Sequence, residues 1–460
     1  MGRILPKQKG AIQKNAYLSI MEEKISLRKG MLALSPLFVF VGFYLVLSLC
    51  RQDFYAVPIT ISFMVACLYA MCIIPGMRWG KRFELLTKGA AQPNLLLMIW
   101  IFILAGAFAS TAKEMGAIDA TVELCLSILP SQLILGGLFA ASCFISLSVG
   151  TSVGTIAALT PIATTMSEHT GHSIPLLVAT VVGGAYFGDN LSFISDTTIA
   201  ATKTQGCDLK DKFRVNIWIA GPAALATLVL YLFLGHPGAV SSTASIKQIL
   251  LVIPYVFVLA AGIFGINVLT VLALGIIIAG AMGIALGQFD FFTWLDAMNN
   301  GVLGMSELII ATILAAGLVE VIRHQGGIHF IIQSLTKCVR GKKGAEMCIA
   351  MLTLLTNFCT ANNTITILTV GPLAKEIADK YNVDPRKSAS LLDTFSCIAQ
   401  SLIPYGAQLL IASGLAVVNP IEIIPYLYYP FVLGIFSLLN ILLSYENKIF
   451  TLLGSKRNRV

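Results

Sequence analysis

The sequence predicts an all-α integral membrane protein with two inverted repeats, each containing five transmembrane helices and one re-entrant hairpin. Three observations support this fold class. Hydrophobic residues make up 57% of the 460 positions and charged residues only 12%, whereas a soluble domain carries about 25% charged residues. Apolar runs of about 20 residues, the length that crosses a bilayer core, recur along the chain. The two halves also resemble each other at an offset of about 210 residues.

Ten apolar segments are interpreted as full membrane spans: 31–50, 54–75, 94–112, 175–202, 215–234, 248–264, 266–286, 306–322, 388–411 and 426–445. Two further apolar segments, 131–167 and 345–374, have polar, helix-breaking centres, and each of their arms is short for a crossing. We interpret both as re-entrant hairpins, because irregular backbone survives in a membrane only against protein or water. The predicted units are a basic tail at 1–30, a first repeat at 31–234, a second repeat at 248–445 and a basic tail at 446–460.

The distribution of Lys and Arg predicts the orientation. On this topology, all but three of the 31 Lys and Arg residues lie on one side of the membrane; the exceptions are Arg51, Lys113 and Lys247. Basic loops stay in the cytoplasm, so we expect a bacterial inner membrane protein with both termini cytoplasmic. The same distribution explains the net charge of +8 with the lipid bilayer as partner and no nucleic acid.

Matching residues support an internal repeat. Residues 103–105 align with 313–315, and Pro175 aligns with Pro385. A first half with an odd number of spans starts the second half from the opposite side of the membrane. Inverted repeats of this kind place a substrate site near the midplane, where broken helices meet. The alternative is that the helices look alike because all are rich in Leu, Ile and Ala.

Two aspartates, Asp189 and Asp196, lie within the span 175–202 rather than at its ends. An ionised Asp at the bilayer centre costs about 2.5–3.5 kcal/mol on insertion scales, which a cation, a proton or water would offset. Burial favours the protonated form of a carboxyl group, and a bound cation favours the ionised form. One carboxylate can therefore hold a proton or a sodium ion in turn, and both aspartates are candidate transient sodium ligands. Asp196 has the alternative role of capping the half-helix that restarts there.

Neutral oxygens at the helix breaks and hairpin tips complete the predicted ion site, because sodium prefers oxygen ligands. These candidates are Thr151, Ser152, Thr155, Asn190, Ser192, Ser195, Asn362, Asn363, Thr364, Thr366, Gln400 and Ser401. The break in the second half holds no carboxylate, so the halves are chemically unequal. For Asp393 the sequence leaves two interpretations open, an inner vestibule or the membrane interface. Glu320 is expected to be a structural partner or a rim group near Arg323.

Several motifs of other function classes do not occur in the sequence. It has no GxxxxGK[ST] loop, so ATP-driven transport is not expected, and no HExxH or CxxC motif. We therefore expect a transporter with no catalytic residues and no cofactor. No Lys or Arg lies deep in a predicted span, which favours cations over anionic substrates as the transported species.

The segment 184–198, with the sequence GAYFGDNLSFISDTT, resembles the signature of the NhaC-type Na+/H+ antiporter family. The tip at 150–155 and the run at 403–408 are similar to the same family. The resemblance implies secondary antiport and a place in the ion transporter superfamily. It also implies that an ion site lies at or near these residues of the segment: Asp189, Asn190, Ser192, Ser195, Asp196 and Thr197.

This chain departs from the family pattern at two positions. Family members usually carry a lysine or similar residue after the first Asp and a proline between the serines, where this chain has Asn190 and Phe193-Ile194. We expect exchange of sodium ions for protons. The alternative is a Na+- or H+-coupled exchanger of organic acids or amino acids, since the family includes a malate–lactate exchanger. Analogy with transporters of this architecture also suggests a homodimer.

Overall fold

The computed structural model describes residues 25–51, 58–128, 130–193, 195–235, 246–264, 266–337 and 339–443. Throughout these ranges the chain forms helices joined by short loops, and no strand occurs among them. The first half contains α1 (Leu27–Arg51), α2 (Ile59–Cys72), α3 (Trp79–Ala90), α4 (Pro93–Glu114), α5 (Ala117–Ile128), α6 (Ile134–Val149), α7 (Ser152–Thr170), α8 (Ile174–Leu191), α9 (Asp196–Gln205) and α10 (Leu209–Leu234).

The second half repeats this series. It contains α11 (Ile246–Ile263), α12 (Val268–Ala285), α13 (Phe291–Gly304), α14 (Ser306–His324), α15 (Gly327–Thr336), α16 (Gly341–Thr360), α17 (Asn363–Lys380), α18 (Pro385–Ser401), α19 (Ala407–Ala416), a short α20 (Pro420–Ile423) and α21 (Tyr428–Leu443). The basic tails at 1–24 and 444–460 lie outside the described residues.

The all-helical prediction is confirmed, and six helical segments of the described chain are long and apolar enough to cross a membrane. A seventh is counted if α19 and the helical segment Pro420–Tyr426, which are bent by 100° relative to each other, form one span. Three of the ten predicted spans coincide with shorter apolar helices, including Ile59–Cys72 and Tyr428–Leu443. A helix of 14 residues, such as α2, rises only about 21 Å at 1.5 Å per residue, so these segments do not meet the length criterion.

Both predicted hairpins consist of two helices joined at a polar tip. The arms contain 16 and 19 residues in α6 and α7, and 20 and 18 residues in α16 and α17. Only α6 is short for a crossing, as expected. The other three are longer than predicted because the helices continue through polar ends: α16 begins at Gly341, before Lys342 and Lys343, and α17 ends at Lys380. The re-entrant course of the hairpins stays a prediction.

Helix pairings of the first half recur in the second. The hairpin helices α6 and α7 pack on α8, and α16 and α17 pack on α18. Likewise α13 packs on α4, and α3 packs on α14. The second hairpin arm of each half packs on the other half, α7 on α19 and α17 on α9. Through these contacts between the halves, each hairpin lies next to the broken helix of the opposite half.

Two details recur 211 positions apart. Ser146 donates from Oγ to the carbonyl oxygen of Ala185 at 2.6 Å, and Asn357 donates from Nδ2 to that of Ser396 at 2.9 Å. The hairpin tips at Gly150 and Ala361 both adopt left-handed backbone, with φ of 74° and 48°. The recurrence supports the predicted repeat, whereas its boundaries and its inversion across a membrane stay predictions.

Candidate ion site

The span 175–202 is broken where the polar residues cluster. Helix α8 ends at Leu191, and Ser192 and Ser195 have extended backbone, with ψ of 140° and 135°. Ser and Asp side chains compete with helical hydrogen bonds, which accounts for the break at this position. Ser195 occupies the N-cap position of α9 and Asp196 is the first helical residue. The predicted capping role of Asp196 is therefore not found.

Asp189 lies in the last turn of α8 and is buried, with 5% of its surface exposed. Its Oδ2 accepts a hydrogen bond from Ser152 Oγ at 2.8 Å, and its Oδ1 accepts one from Ser195 Oγ at 2.6 Å. The ion pairs found among the described residues involve other acidic groups. The carboxylate is therefore held by two neutral hydroxyls from two helix breaks, and these leave its negative charge uncompensated.

Each of these two serines receives a hydrogen bond from a further side chain. Because Ser195 gives its only hydroxyl proton to Asp189, the 2.9 Å contact between Ser195 Oγ and Thr197 Oγ1 has Thr197 as its donor. In the same way, Gln408 donates from Nε2 to Ser152 Oγ at 3.1 Å. Thr197 and Gln408 lie 211 positions apart, so equivalent positions of the two halves support the two serines.

Gln400 connects the hairpin tip of the second half to this arrangement. Its Nε2 donates to Gln408 Oε1 at 3.0 Å and to the carbonyl oxygen of Ala361 at 2.9 Å. Its Oε1 accepts from Asn357 Nδ2 at 3.2 Å. A continuous line of hydrogen bonds thus runs from Asp189 through Ser152, Gln408 and Gln400 to Asn357.

A second charged cluster lies next to Asp189. Lys212 and Asp393, 1% and 0% exposed in their side chains, form a buried ion pair. Lys212 Nζ also contacts the carbonyl oxygen of Asn190 and donates to Thr198 Oγ1 at 3.1 Å. Thr198 in turn donates to Asp393 Oδ2 at 2.9 Å. Asp393 is therefore buried among the helices, and its position relative to the membrane stays a prediction.

Asn216 joins this cluster to the break. Its Nδ2 donates to the carbonyl oxygen of Asn190 at 2.9 Å and to Asn190 Oδ1 at 2.8 Å. Its Oδ1 accepts from Ser390 and from Thr394, each at 2.9 Å. Three helices, α8 at its last turn, α10 and α18, are thus tied together by side chains of which only Asn190 was predicted.

No Lys or Arg was predicted deep in a span, and in the structure Lys212 and Lys387 are buried, each in the first turn of its helix, α10 and α18. The sequence places Lys212 in a polar segment with Lys210 and Arg214, which suggests a solvated loop. The sequence does contain an indication of this polar cluster, because Lys212 and Asn216 lie four positions apart and therefore share one face of a helix. The polar residues 390, 393/394 and 397 of α18 have the same helical spacing.

At the second hairpin tip, neutral oxygens bond mainly to one another. Thr366 Oγ1 donates to Asn357 Oδ1 at 2.8 Å and contacts the hydroxyl of Thr360. Asn362 caps α17 by accepting from the Ile365 amide. Asn363 is 5% exposed, and its Oδ1 is buried without a hydrogen-bond partner. Of these groups, Asn363 has an oxygen free for a ligand.

The remaining predicted residues lie at the edges of the site. Thr155 Oγ1 donates to the Thr151 carbonyl oxygen at 3.1 Å, and Ser192 Oγ donates to that of Leu147 at 2.9 Å. Ser401 Oγ donates to the Ile398 carbonyl oxygen within α18. Thr364 is half-buried, and Asp196 is exposed. The structure thus brings Ser152, Ser195 and, through Ser195, Thr197 to Asp189, and leaves Asp196 outside this group.

A cleft leads toward the second hairpin tip. A cavity of about 70 Å³ is lined by residues that include Gln92, Glu320, Thr360 and Asn362. It shares Gln92, Glu320 and Arg323 with an open cavity of about 530 Å³. Glu320 pairs with Lys88 at 3.1 Å and with Arg323 at 3.8 Å, as expected for a structural partner at a rim.

Comparison with known proteins identifies the class of protein to which this chain belongs. Broken helices that meet at a buried carboxylate are a feature of secondary transporters. A family model described as the Na+/H+ antiporter family matches residues 15–236 and 238–445. The chain therefore belongs to this family, whose members are transporters and not enzymes, and it is a multi-pass membrane protein.

Three curated relatives are similar along most of their length. The Na+/H+ antiporter NhaC of Bacillus subtilis is 27% identical over 401 residues, which cover 78% of this chain and 85% of the relative. The malate-2H+/Na+-lactate antiporter of the same organism is 21% identical over 435 residues, 87% and 92% of the two chains. The arginine/ornithine antiporter ArcD of Halobacterium salinarum is 24% identical over 406 residues, 79% and 82%. The NhaC-type resemblance is confirmed.

Proposed function

We propose that this protein exchanges sodium ions for protons across a bacterial inner membrane, with Asp189 as the group that carries either ion. The observation that supports this role is the environment of its carboxylate: buried, bonded by Ser152 and Ser195, and without an ion-pair partner among the described residues. A buried charge without compensation is costly. Binding of a proton or of a sodium ion each removes that cost, so the two ions compete for one carboxylate.

The neutral oxygens next to Asp189 are suited to sodium rather than to a larger substrate. Hydroxyl oxygens of Ser152 and Ser195 lie within 2.8 Å of the carboxylate, and the carboxyl oxygens with these hydroxyls form one compact set of oxygen ligands. Asn363, at the position equivalent to Ser152 and 211 residues later, has an unpaired amide oxygen on the opposite hairpin. Alternating access then requires one group of elements to move against the other around this set.

The test is exchange by everted vesicles in which a proton gradient is imposed and internal pH is followed on addition of sodium. We expect Asp189→Asn to reduce sodium-dependent proton movement to the background of vesicles without the protein. Asp196→Asn is the matched control, because Asp196 is exposed and lies seven positions away in the same segment. Its exchange is expected to stay near that of the unmodified protein. Full exchange by Asp189→Asn, or its loss only in Asp196→Asn, would contradict the assignment.

A second candidate function is exchange of organic acids or amino acids coupled to sodium or protons. The observation that favours it is the cleft near the second hairpin tip, where Arg323 and the amide side chain of Gln92 line the cavity, together with the names of two relatives. Against it, the two buried lysines of the described residues are already paired: Lys212 is bonded to Asp393, Thr198 and Asn190, and Lys387 pairs with Glu346. The vesicle assay therefore includes malate, lactate and arginine. If only an organic substrate collapses the proton gradient, the result would contradict sodium–proton exchange and support this second function.

A further inference from the structure

Helix α3 buries one side against α14 and exposes two large aromatic rings. Leu85 and Gly89 are buried, and a Cβ at Gly89 would lie only 2.4 Å from the carbonyl oxygen of Ala316 in α14. Trp79 and Phe83, which are 53% and 54% exposed, lie four positions apart and therefore share one side of the helix. A tight helix–helix contact thus fixes the position of an exposed aromatic surface.

The other exposed positions of α3 are mainly basic. Arg78, which precedes the helix, and Lys81 are exposed, and neither forms an ion pair among the described residues. Lys81 follows Trp79 by two positions, about 200° around the helix, so it lies on the side opposite that ring. Arg82 has a different role, because its Nε and Nη1 donate to two backbone carbonyl oxygens at 2.7 and 2.6 Å. Aromatic residues on one side and basic residues on the other are typical of a helix that lies in the membrane interface.

Contacts place α3 and its counterpart α13 at opposite ends of helices α4 and α14. Gln92, just before α4, and Arg323, in the last turn of α14, line the same cleft, so the start of α4 lies beside the end of α14. Helix α3 contacts α14 in the half nearer that end, at Ala316. Helix α13 contacts the other half of α4, where a Cβ at Gly301 would lie 2.8 Å from the Cβ of Ser110. In a bilayer that α4 and α14 cross, α3 and α13 therefore face opposite leaflets.

The two helices share exposed aromatic residues and differ in charge. Helix α13 begins with Phe291 and Phe292, which are 52% and 73% exposed. Its exposed charged residues are Asp290, directly before the helix, and Asp296, and the segment 287–305 contains no Lys or Arg. Helix α3 contains three basic residues and one acidic residue. Both helices can therefore anchor in lipid, whereas only α3 is complementary to a negatively charged headgroup.

We propose that α3 is a docking surface for anionic phospholipids, on which Arg78 and Lys81 bind headgroup phosphates and Trp79 and Phe83 lie among the upper acyl chains. Aromatic rings favour the boundary between headgroups and acyl chains, and basic residues at this depth attract anionic lipids. The surface of α13 has similar apolar anchors but negative charge, so it does not select anionic lipids. This docking surface is separate from Asp189 and does not depend on which ion is exchanged.

Fluorescence quenching by lipids with brominated acyl chains tests the proposal in the folded protein. The chain has four tryptophans, and Trp79 alone reports in a variant with Trp100→Phe, Trp218→Phe and Trp294→Phe. Brominated phosphatidylglycerol and brominated phosphatidylcholine are compared at equal mole fraction in phosphatidylcholine nanodiscs. We expect the anionic lipid to quench Trp79 as if it were enriched about fivefold or more around α3, because each basic residue near the surface contributes about that factor.

Charge-removing variants identify the residues that select the lipid. Arg78→Gln with Lys81→Gln should abolish the preference for the anionic lipid, while both brominated lipids still quench Trp79 because the ring stays in place. Lys113→Gln is the matched control, because Lys113 is exposed in the last turn of α4, at the opposite end from α3. It should leave the preference unchanged. Equal quenching of Trp79 by the two lipids before these changes, or a preference that the double variant retains, would overturn the proposal.

A second reporter compares the two helices in one bilayer. It is Phe292→Trp on α13, in a chain whose four natural tryptophans are replaced by phenylalanine. Both leaflets of a nanodisc have the same lipid composition, so a difference between the reporters arises from the protein surface. We expect the two brominated lipids to quench this reporter equally. A preference for the anionic lipid as strong as that at Trp79 would show that the charge of α3 is not the cause, and the proposal would fail.

Thermal unfolding gives a test that needs no tryptophan substitutions. A ligand that binds the folded state raises its apparent stability, so phosphatidylglycerol should raise the Tm of the detergent-purified protein more than phosphatidylcholine at the same concentration. Arg78→Gln with Lys81→Gln should remove this difference. Equal shifts with the two lipids in the unmodified protein would contradict the docking surface. Sodium-dependent exchange by Asp189→Asn is measured separately, so the docking surface and the proposed function can fail independently.

Discussion

The break between α8 and α9 carries a carboxylate, and the equivalent break between α18 and α19 carries an amide. Asp189 and Gln400 lie 211 positions apart at the ends of their helices. Gln400 has partners for both its oxygen and its nitrogen, so it needs no ligand, whereas Asp189 has hydroxyl partners but no opposite charge. The repeat therefore provides the helical framework twice and a buried carboxylate at the helix break once.

The unequal halves still cooperate in one site. Gln408 of the second half bonds Ser152, the hairpin serine that holds Asp189. Asp393 of the second half pairs with Lys212 of the first. The second half thus contributes to the site through orientation and through the ion-pair partner of Lys212, and movement of one half relative to the other changes the surroundings of Asp189.

The largest effect in this comparison is expected at Gly188, where α8 lies close to α6. A Cβ at this position would lie 2.3 Å from the backbone nitrogen of Leu147 and from Ser146 Cβ. The equivalent residue of α18 is Ala399, which is fully buried. We expect Gly188→Ala to lower stability by about 1–3 kcal/mol, as overpacking does, in thermal unfolding of the purified protein.

The control for this variant is Ala399→Gly, which adds no atoms. We expect it to lower the free energy of unfolding by only about 0.5–1 kcal/mol, the usual effect of glycine inside a helix. Equal stability of Gly188→Ala and the unmodified protein would show that α6 and α8 separate easily. In that case the two halves would not differ in how firmly the broken helix is held.

An intermediate effect is expected at Gln408, the amide that connects the halves. Gln408→Ala removes the donor to Ser152 Oγ, and one hydrogen bond is worth about 1 kcal/mol. We expect the sodium concentration for half-maximal exchange to rise about fivefold, which corresponds to that energy. Thr197→Val removes the corresponding donor to Ser195 and serves as the matched variant. If Gln408→Ala leaves the sodium concentration for half-maximal exchange unchanged while Thr197→Val raises it, the second half does not affect sodium binding at Asp189.

The sequence was sufficient to locate the break and its carboxylate, because a polar cluster inside an apolar span has few structural explanations. Ser152 and Ser195 were also predicted, and they are the residues that bond Asp189. Lys212 and Asn216 were missed because their contacts depend on how α10 packs against α18, which a local pattern does not reveal. The length of a helix is similarly set by packing, so the predicted spans and hairpin arms differ from the helices most at their ends.

The smallest effect is expected at the two hairpin tips, which have the same backbone and different residues. Gly150 and Ala361 are both left-handed, a conformation that costs an ordinary residue about 1–2 kcal/mol. Ala361→Gly removes this cost. Glycine also raises the conformational entropy of the unfolded chain, which lowers the free energy of unfolding by about 0.4–1 kcal/mol. We therefore expect a net gain in stability of about 1 kcal/mol or less.

Gly150→Ala is the reciprocal variant and should lower thermal stability. Because Gln400 bonds the carbonyl oxygen of Ala361 rather than its side chain, Ala361→Gly leaves that contact intact, and we expect its sodium dependence to stay unchanged. A less stable Ala361→Gly protein would contradict the left-handed tip in the second half. A change in its sodium dependence would instead show that this tip moves during exchange, because the substitution alters the backbone freedom of the tip and none of its hydrogen-bonding groups.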